Sequence, residues 1–190
     1  MTSRIVRFAL IALLTVAAFV GAGCEKHDTV TQADTEGIWV DVGGLDYHIQ
    51  GSRVLEPGIV PDDSYLKGLP AGVTDPKGDE IWFAVFLRIE NKTDAPIASP
   101  VEFEIVDTQG TSFRPIVLDG DANPFAYQAT IIEPKSSIPL PDSPQEFNSF
   151  NGALLLFKLP LENYQNRPLE FVIHGLDGDE PVEASLDLDV

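Results

Sequence analysis

The sequence predicts an all-β domain, an antiparallel sandwich of about seven to nine strands, preceded by a short apolar leader and a polar tether. Three observations carry the prediction. Apolar residues recur at every second position in one short segment after another, clusters of Gly, Pro and Asp separate those segments, and no stretch holds a helical period beyond a turn or two.

The elements follow in chain order. Ile38–Val42 and Leu45–Gln50 read as a hairpin closed by Gly43-Gly44, the residue pair that tolerates the left-handed conformations of a tight turn. From Glu56 to Glu80 the chain is rich in Pro, Gly and Asp, with Tyr65, Leu66 and Leu69 as its few apolar anchors. Such a long connection is uncommon in a compact domain, and two readings stay open: a functional loop, or a surface connection pinned by Tyr65 and Leu69.

Glu80–Glu90 is the clearest strand. Ile81, Phe83, Val85, Leu87 and Ile89 line one face, and Trp82, Ala84 and Phe86 make most of the other apolar too, which places the strand centrally. Asn91-Lys92-Thr93 matches a glycosylation acceptor but reads here as a turn. Val101–Asp107 alternates, with Val101, Phe103 and Ile105 inward, and Gly110 turns it into Thr111–Leu118. Ala153–Leu159, Leu169–His174 and Val182–Val190 complete the strands, the last with Leu186, Leu188 and Val190 inward; Leu161–Gln165 is the one helical candidate.

The leader carries Arg4 and Arg7 and then runs from Phe8 to Gly23 without a charge. Its apolar core is shorter than the roughly 20 residues of a membrane span and ends in small residues, the order of a cleaved export signal. Gly21-Ala22-Gly23-Cys24 looks like a bacterial lipobox, with Gly21 where Leu is usual. That resemblance implies a diacylglycerol thioether on Cys24, cleavage before it, and a chain exported and held on the outer face of the cell membrane by lipid. The organisation expected is residues 1–23 leader, 24–36 flexible tether and 37–190 sandwich domain. Cys24 is the only cysteine, so no internal disulfide forms and an apolar core must supply the stability.

Against 30 acidic residues stand 12 basic ones, and loss of the leader removes two of the latter, leaving a formal charge of −20. Nucleic acid, bound through Lys and Arg on phosphates, is excluded as a partner. Copper sites draw on His, Cys and Met, but the mature chain offers only His27, His48 and His174, no Met, and a cysteine assigned to lipid. Asp119-Gly-Asp121 with Asn123, and Asp177-Gly-Asp-Glu180, gather oxygen ligands, yet the calcium-hand spacing fails at Pro124 and Thr130. No nucleophile elbow, zinc-protease helix or phosphate loop is present. No catalytic residue, cofactor or metal site is therefore expected, and Cys24 is the one functional residue.

A family resemblance joins these features. Tyr65–Pro70, Trp82–Lys92, Phe103–Gly110 and Asn166–Phe171, behind a lipobox and polar tether, resemble the uncharacterised immunoglobulin-like lipoproteins of actinobacteria, which are similar to the extracellular domains grouped with the mycobacterial immunoprotective antigen. The resemblance implies an immunoglobulin-like sandwich without an agreed enzymatic activity. The function expected is a membrane-anchored, non-enzymatic binding module engaging an envelope protein, a ligand or cell-wall material. Alternatives are an acidic structural surface protein and a calcium-dependent adhesion domain.

Overall fold

The structure, a computed structural model, describes residues 29–176 and 178–190. The leader, Cys24, His27 and Asp177 lie outside the described residues. In chain order the elements are β1 (Gln32–Ala33), β2 (Val40–Val42), β3 (Leu45–Leu55), α1 (Asp62–Tyr65), β4 (Glu80–Glu90), β5 (Ile97–Ala98) and β6 (Glu102–Val106). There follow β7 (Ser112–Phe113), β8 (Ile131–Ile132), β9 (Ser137–Ile138), β10 (Ala153–Pro160), α2 (Leu161–Tyr164), β11 (Leu169–His174) and β12 (Glu183–Leu188). Among the described residues no helix is long and apolar enough to cross a membrane.

Two sheets face each other, one ordered β1-β12-β11-β6-β7 and the other β10-β4-β3-β2, with β9 beside the end of β4 and a separate β5–β8 ladder. The long strands β3, β4 and β10 share one sheet and β6, β11 and β12 the other, with β7 added next to β6. That is the A-B-E and C-F-G partition of an immunoglobulin-like sandwich. Seven described strands have three or more residues, within the range expected; the remaining five are two-residue pairings. Among the named strand pairs one is parallel, β1 with β12.

The hairpin forms as its sequence dictates. Gly43 and Gly44 both take positive φ, 56° and 78°, and Val42 pairs with Leu45, the geometry in which a two-residue turn follows the twist of its strands. Further on, the β3–β4 register shifts between Ile49 and Gly51. This bulge keeps Tyr47 and Ile49 buried before it and frees Gly51 to admit the Phe150 ring, which a Cβ there would approach to 2.8 Å.

Phe103, Phe157 and Phe171 meet between the sheets with centroids 5.8 and 6.4 Å apart, and Tyr127 sets its edge on Phe103. Where antibody domains join their sheets by a disulfide, this aromatic cluster fills the gap. A second apolar layer lies on the outer side of the β10-β4-β3 sheet, where Trp82, Ala84 and Phe86 of β4 meet Tyr65, Leu118 and Ala126. β4 is thus apolar on both faces for two reasons: it is central in its sheet, and loops cover its far side.

The 56–80 connection supplies much of that cover. Tyr65 is buried and sets edges against Phe86 and Phe125 at 5.1 and 5.2 Å, and Leu69 packs beside it, so the connection is the packed kind pinned by these residues. Its one-turn helix α1 is not foreshadowed in the sequence. Asp62 anchors that turn by accepting hydrogen bonds from the Arg53 guanidinium and from the Glu56 amide.

Several expectations need correction. The boundary expected between residues 36 and 37 lies earlier. Val30 donates to the Asp41 carboxylate and accepts from the Asp41 amide, both at 2.7 Å, and Gln32–Ala33 pairs with β12. Polar side chains at 29–36 suggest a solvated tether, but their backbone satisfies open edges of β2 and β12. Thr111–Leu118 is a strand only at β7, because Pro115 has no amide to continue the ladder; Ile116 crosses instead to Leu156 of the other sheet. Val101 points out, since β6 begins only at Glu102.

Two buried asparagines clasp irregular backbone. Asn91 donates to the carbonyls of Ala95 and Ile132 and accepts from Thr93; at 1 % exposure it is no glycan acceptor in the folded chain. Asn123 donates to the carbonyls of Tyr65 and Lys67 and accepts from the Phe125 amide. Asp107 plays a related part after β6. The Asn166 amide foremost, then Asn163 and the Thr111 and Gln109 amides, hold its carboxyl down to about 2.

Candidate functional site

Between the edge of β6 and the edge of β10 the sandwich has an irregular flank, built from residues 115–118 and 125–145. Pro115, Pro134, Pro139, Pro141 and Pro144 punctuate it and deny it regular ladders, so its apolar side chains are not all drawn into the core. Two adjoining grooves open there. One, about 290 Å³, is lined among others by Val101, Phe103, Ile116, Val117 and Tyr127. The other, about 360 Å³, is lined by Ile131, Ile132, Ile138 and Leu140 with Gln145; that volume falls in the roughly 300–1,000 Å³ range of small-molecule sites.

Gln128 stands in the wall of both, held by a 3.2 Å hydrogen bond from its Nε2 to the Leu118 carbonyl. Gln145 Nε2 donates to the Ala126 carbonyl at 2.7 Å, and the Tyr127 hydroxyl donates to the Pro100 carbonyl at 2.7 Å. Burial pushes the Tyr127 phenol up to about 12, so it remains a neutral donor throughout the physiological range. The lips are unusually bare: Val117 is 80 % exposed, Val101 66 %, Ile131 62 % and Leu140 59 %. Single exposed aliphatics are ordinary, but four around adjoining grooves make a patch.

Chemically the grooves offer apolar surface and a few neutral amides and hydroxyls. Glu133 is the one ionisable carboxylate in either lining, and no histidine or cysteine contributes. They can desolvate an aliphatic group, but they present no activated nucleophile.

The residues weighed from sequence are dispersed. His48 lies on the outward face of β3, with Trp39 4.8 Å away and Gln50 in hydrogen-bond contact at 2.9 Å; burial chiefly lowers its pKa, so the ring is neutral at pH 7. His174 faces outward from the other sheet, 3.1 Å from Glu183. Two histidines on opposite outer faces share no site. Asp119 organises its own turn by accepting the Asp121 amide at 3.0 Å, Asp179 accepts the Leu176 amide at 2.7 Å, and Asn123 is committed to backbone. Among the described residues no group of three or more His, Cys, Asp or Glu is placed to hold a metal ion. Cys24 lies outside them.

Sequence reasoning missed the groove residues. The one signal for them is the occurrence of aliphatic side chains inside proline-punctuated, unpatterned stretches: Ile116-Val117 after Pro115, and Leu140 between two prolines.

No protein-family model and no curated protein matches the chain. Among solved structures it is similar to the yjhA protein of Bacillus subtilis, at 11 % identity and a TM-score of 0.52, over 82 % of this chain and 99 % of that one. An uncharacterized β-sandwich protein of Clostridium difficile is 11 % identical with a TM-score of 0.44, over 87 % of this chain and 99 % of its own. A conserved hypothetical protein of Bacillus anthracis is 10 % identical with a TM-score of 0.44, over 72 % and 84 %. The first likeness shows a shared fold at low identity; with the sheet order above, it defines the chain as an all-β sandwich protein.

Proposed function

We propose that this chain is an exported lipoprotein, anchored through acylated Cys24, whose sandwich is a non-enzymatic binding module. The observation that carries the binding role is the pair of apolar grooves with four aliphatic side chains left exposed on their lips. Removing such surface from water yields about 25 cal/mol per Å², so an apolar partner gains most at this flank. The lining favours an envelope protein presenting aliphatic side chains over a cell-wall polysaccharide, whose hydroxyls would be desolvated without enough partners. The resemblance to immunoglobulin-like lipoproteins supports the anchor and agrees with the fold.

The test is site-specific photo-crosslinking in intact cells from positions 117 and 131, with position 170, on the outward face of the sheet that holds β11, as control. The expected result is one discrete adduct from 117 and 131 that is absent from 170, and that falls at least about tenfold, equivalent to 1.4 kcal/mol of affinity, when Leu140→Asp is added. Identical patterns from all three positions, or no adduct from the flank, would sink the binding reading.

A second reading, an acidic structural surface protein, draws on the outward face of the first sheet. There Glu102, Glu104, Glu170, Glu183 and Asp187 come together through the cross-strand register. Burial first, then Glu170, Asp34 and Asp189, raises the Asp187 pKa, as expected where like charges crowd.

A further inference from the structure

We infer that the sandwich stands on the membrane by the end carrying the Gly43-Gly44, 91–95 and 178–181 turns, with lipid headgroups beneath that end and the Asp107–Gly110 and Leu161–Arg167 end facing outward. The inference rests on the proposed acylation of Cys24.

Its basis is the early start of the fold. Val30 is held on both sides of its peptide by Asp41, so residues 25–29 alone separate the anchor from the pinned chain. Six steps of at most ~3.6 Å reach about 21 Å. Asp41 pairs with Asp46, and Asp46 with Glu90, which puts the entry point level with the C-terminal end of β4. Gly43 donates to the Pro181 carbonyl, which brings residues 178–181 to this same end. At a rise of ~3.3 Å per residue, β4 carries Glu80 about 33 Å away from that level. An inverted domain, with the Glu80 end on the lipid, needs more chain than residues 25–29 supply.

Charge acts against a domain lying on its first sheet. That face presents Glu102, Glu104, Glu170, Glu183 and Asp187, with Arg114 paired to Glu104 and the His174 ring beside Glu183, and anionic headgroups repel it. At the entry end Arg88, Lys92 and Lys135 surround one shallow depression with Glu90, and each is paired with a carboxylate of that end, Glu90, Asp46 and Asp94, so the reach of the chain before Val30, and not a basic surface, sets which end is down. Upright, the domain keeps the flanking grooves open to a partner from the side.

The experiment uses the full acylated chain reconstituted in vesicles of phosphatidylcholine and phosphatidylglycerol, with single added cysteines Asp94→Cys, Gln109→Cys and Leu140→Cys labelled with a donor dye. The Cys24 sulfur is occupied by lipid and does not react. Energy transfer to a headgroup acceptor is expected to place position 94 nearest the bilayer and position 109 farther by about 30 Å. Position 109 as near as 94, or nearer, overturns the orientation, and position 140 nearest shows a domain lying on its grooves and overturns it too. A chain that fails to float with the vesicles instead contradicts the anchor on which the inference rests.

Discussion

Asn123→Ala is expected to lower the free energy of unfolding by about 3 kcal/mol, read from urea titration with an unchanged slope. Asn123 is completely buried. Its amide nitrogen donates to the Tyr65 carbonyl at 2.9 Å and the Lys67 carbonyl at 3.0 Å, and its oxygen accepts the Phe125 amide at 3.0 Å. Alanine leaves these backbone groups without their partner, at about 1–3 kcal/mol for each that water cannot reach. The loss is concentrated at one point because the side chain joins two stretches with no ladder between them, the 56–80 connection and the flank leading to Phe125. A loss under about 0.5 kcal/mol, the level of an ordinary surface change, would contradict the clasp.

Tyr65→Ala is expected to cost about 3–5 kcal/mol, the range for removing a large buried ring. The ring closes the outer layer over β4 through its edge contacts with Phe86 and Phe125, and its loss opens a cavity against Trp82, Ala84 and Leu156. Because Asn123 bonds to the Tyr65 carbonyl, the two losses are coupled. The double variant should fall short of their sum by more than the 0.3–0.5 kcal/mol scatter of independent sites. Tyr65 is therefore a poor probe of binding: its removal tests the layer, and the exposed lips of the grooves test the site.

The main strands were legible because a half-buried strand repeats every second residue. β11 and β12 lie where alternation puts them, β4 and β10 where near-continuous apolar runs of strand length do, and Gly43-Gly44 marked its hairpin because few other pairs take positive φ twice. The outer layer was half legible. An apolar second face on β4 announced a cover, but Tyr65, Leu118, Ala126 and Phe150 come from separate irregular segments that no periodicity connects. β1 was hidden because its side chains are those of a solvated tether; its backbone, which any sequence carries, makes the pairing. The grooves were illegible for a similar reason, since Val101 looks like the start of an inward strand and only the late onset of β6 turns it outward.

The Cys24 anchor is proposed from local order alone: charge, apolar run, small residues, thiol. Metabolic labelling of cells with a fatty acid tests that anchor most directly. The account predicts label on the mature chain of residues 24–190 and none on Cys24→Ser, which would be released or remain uncleaved. Label persisting on Cys24→Ser, or a wild-type chain cleaved and unlabelled, would contradict it.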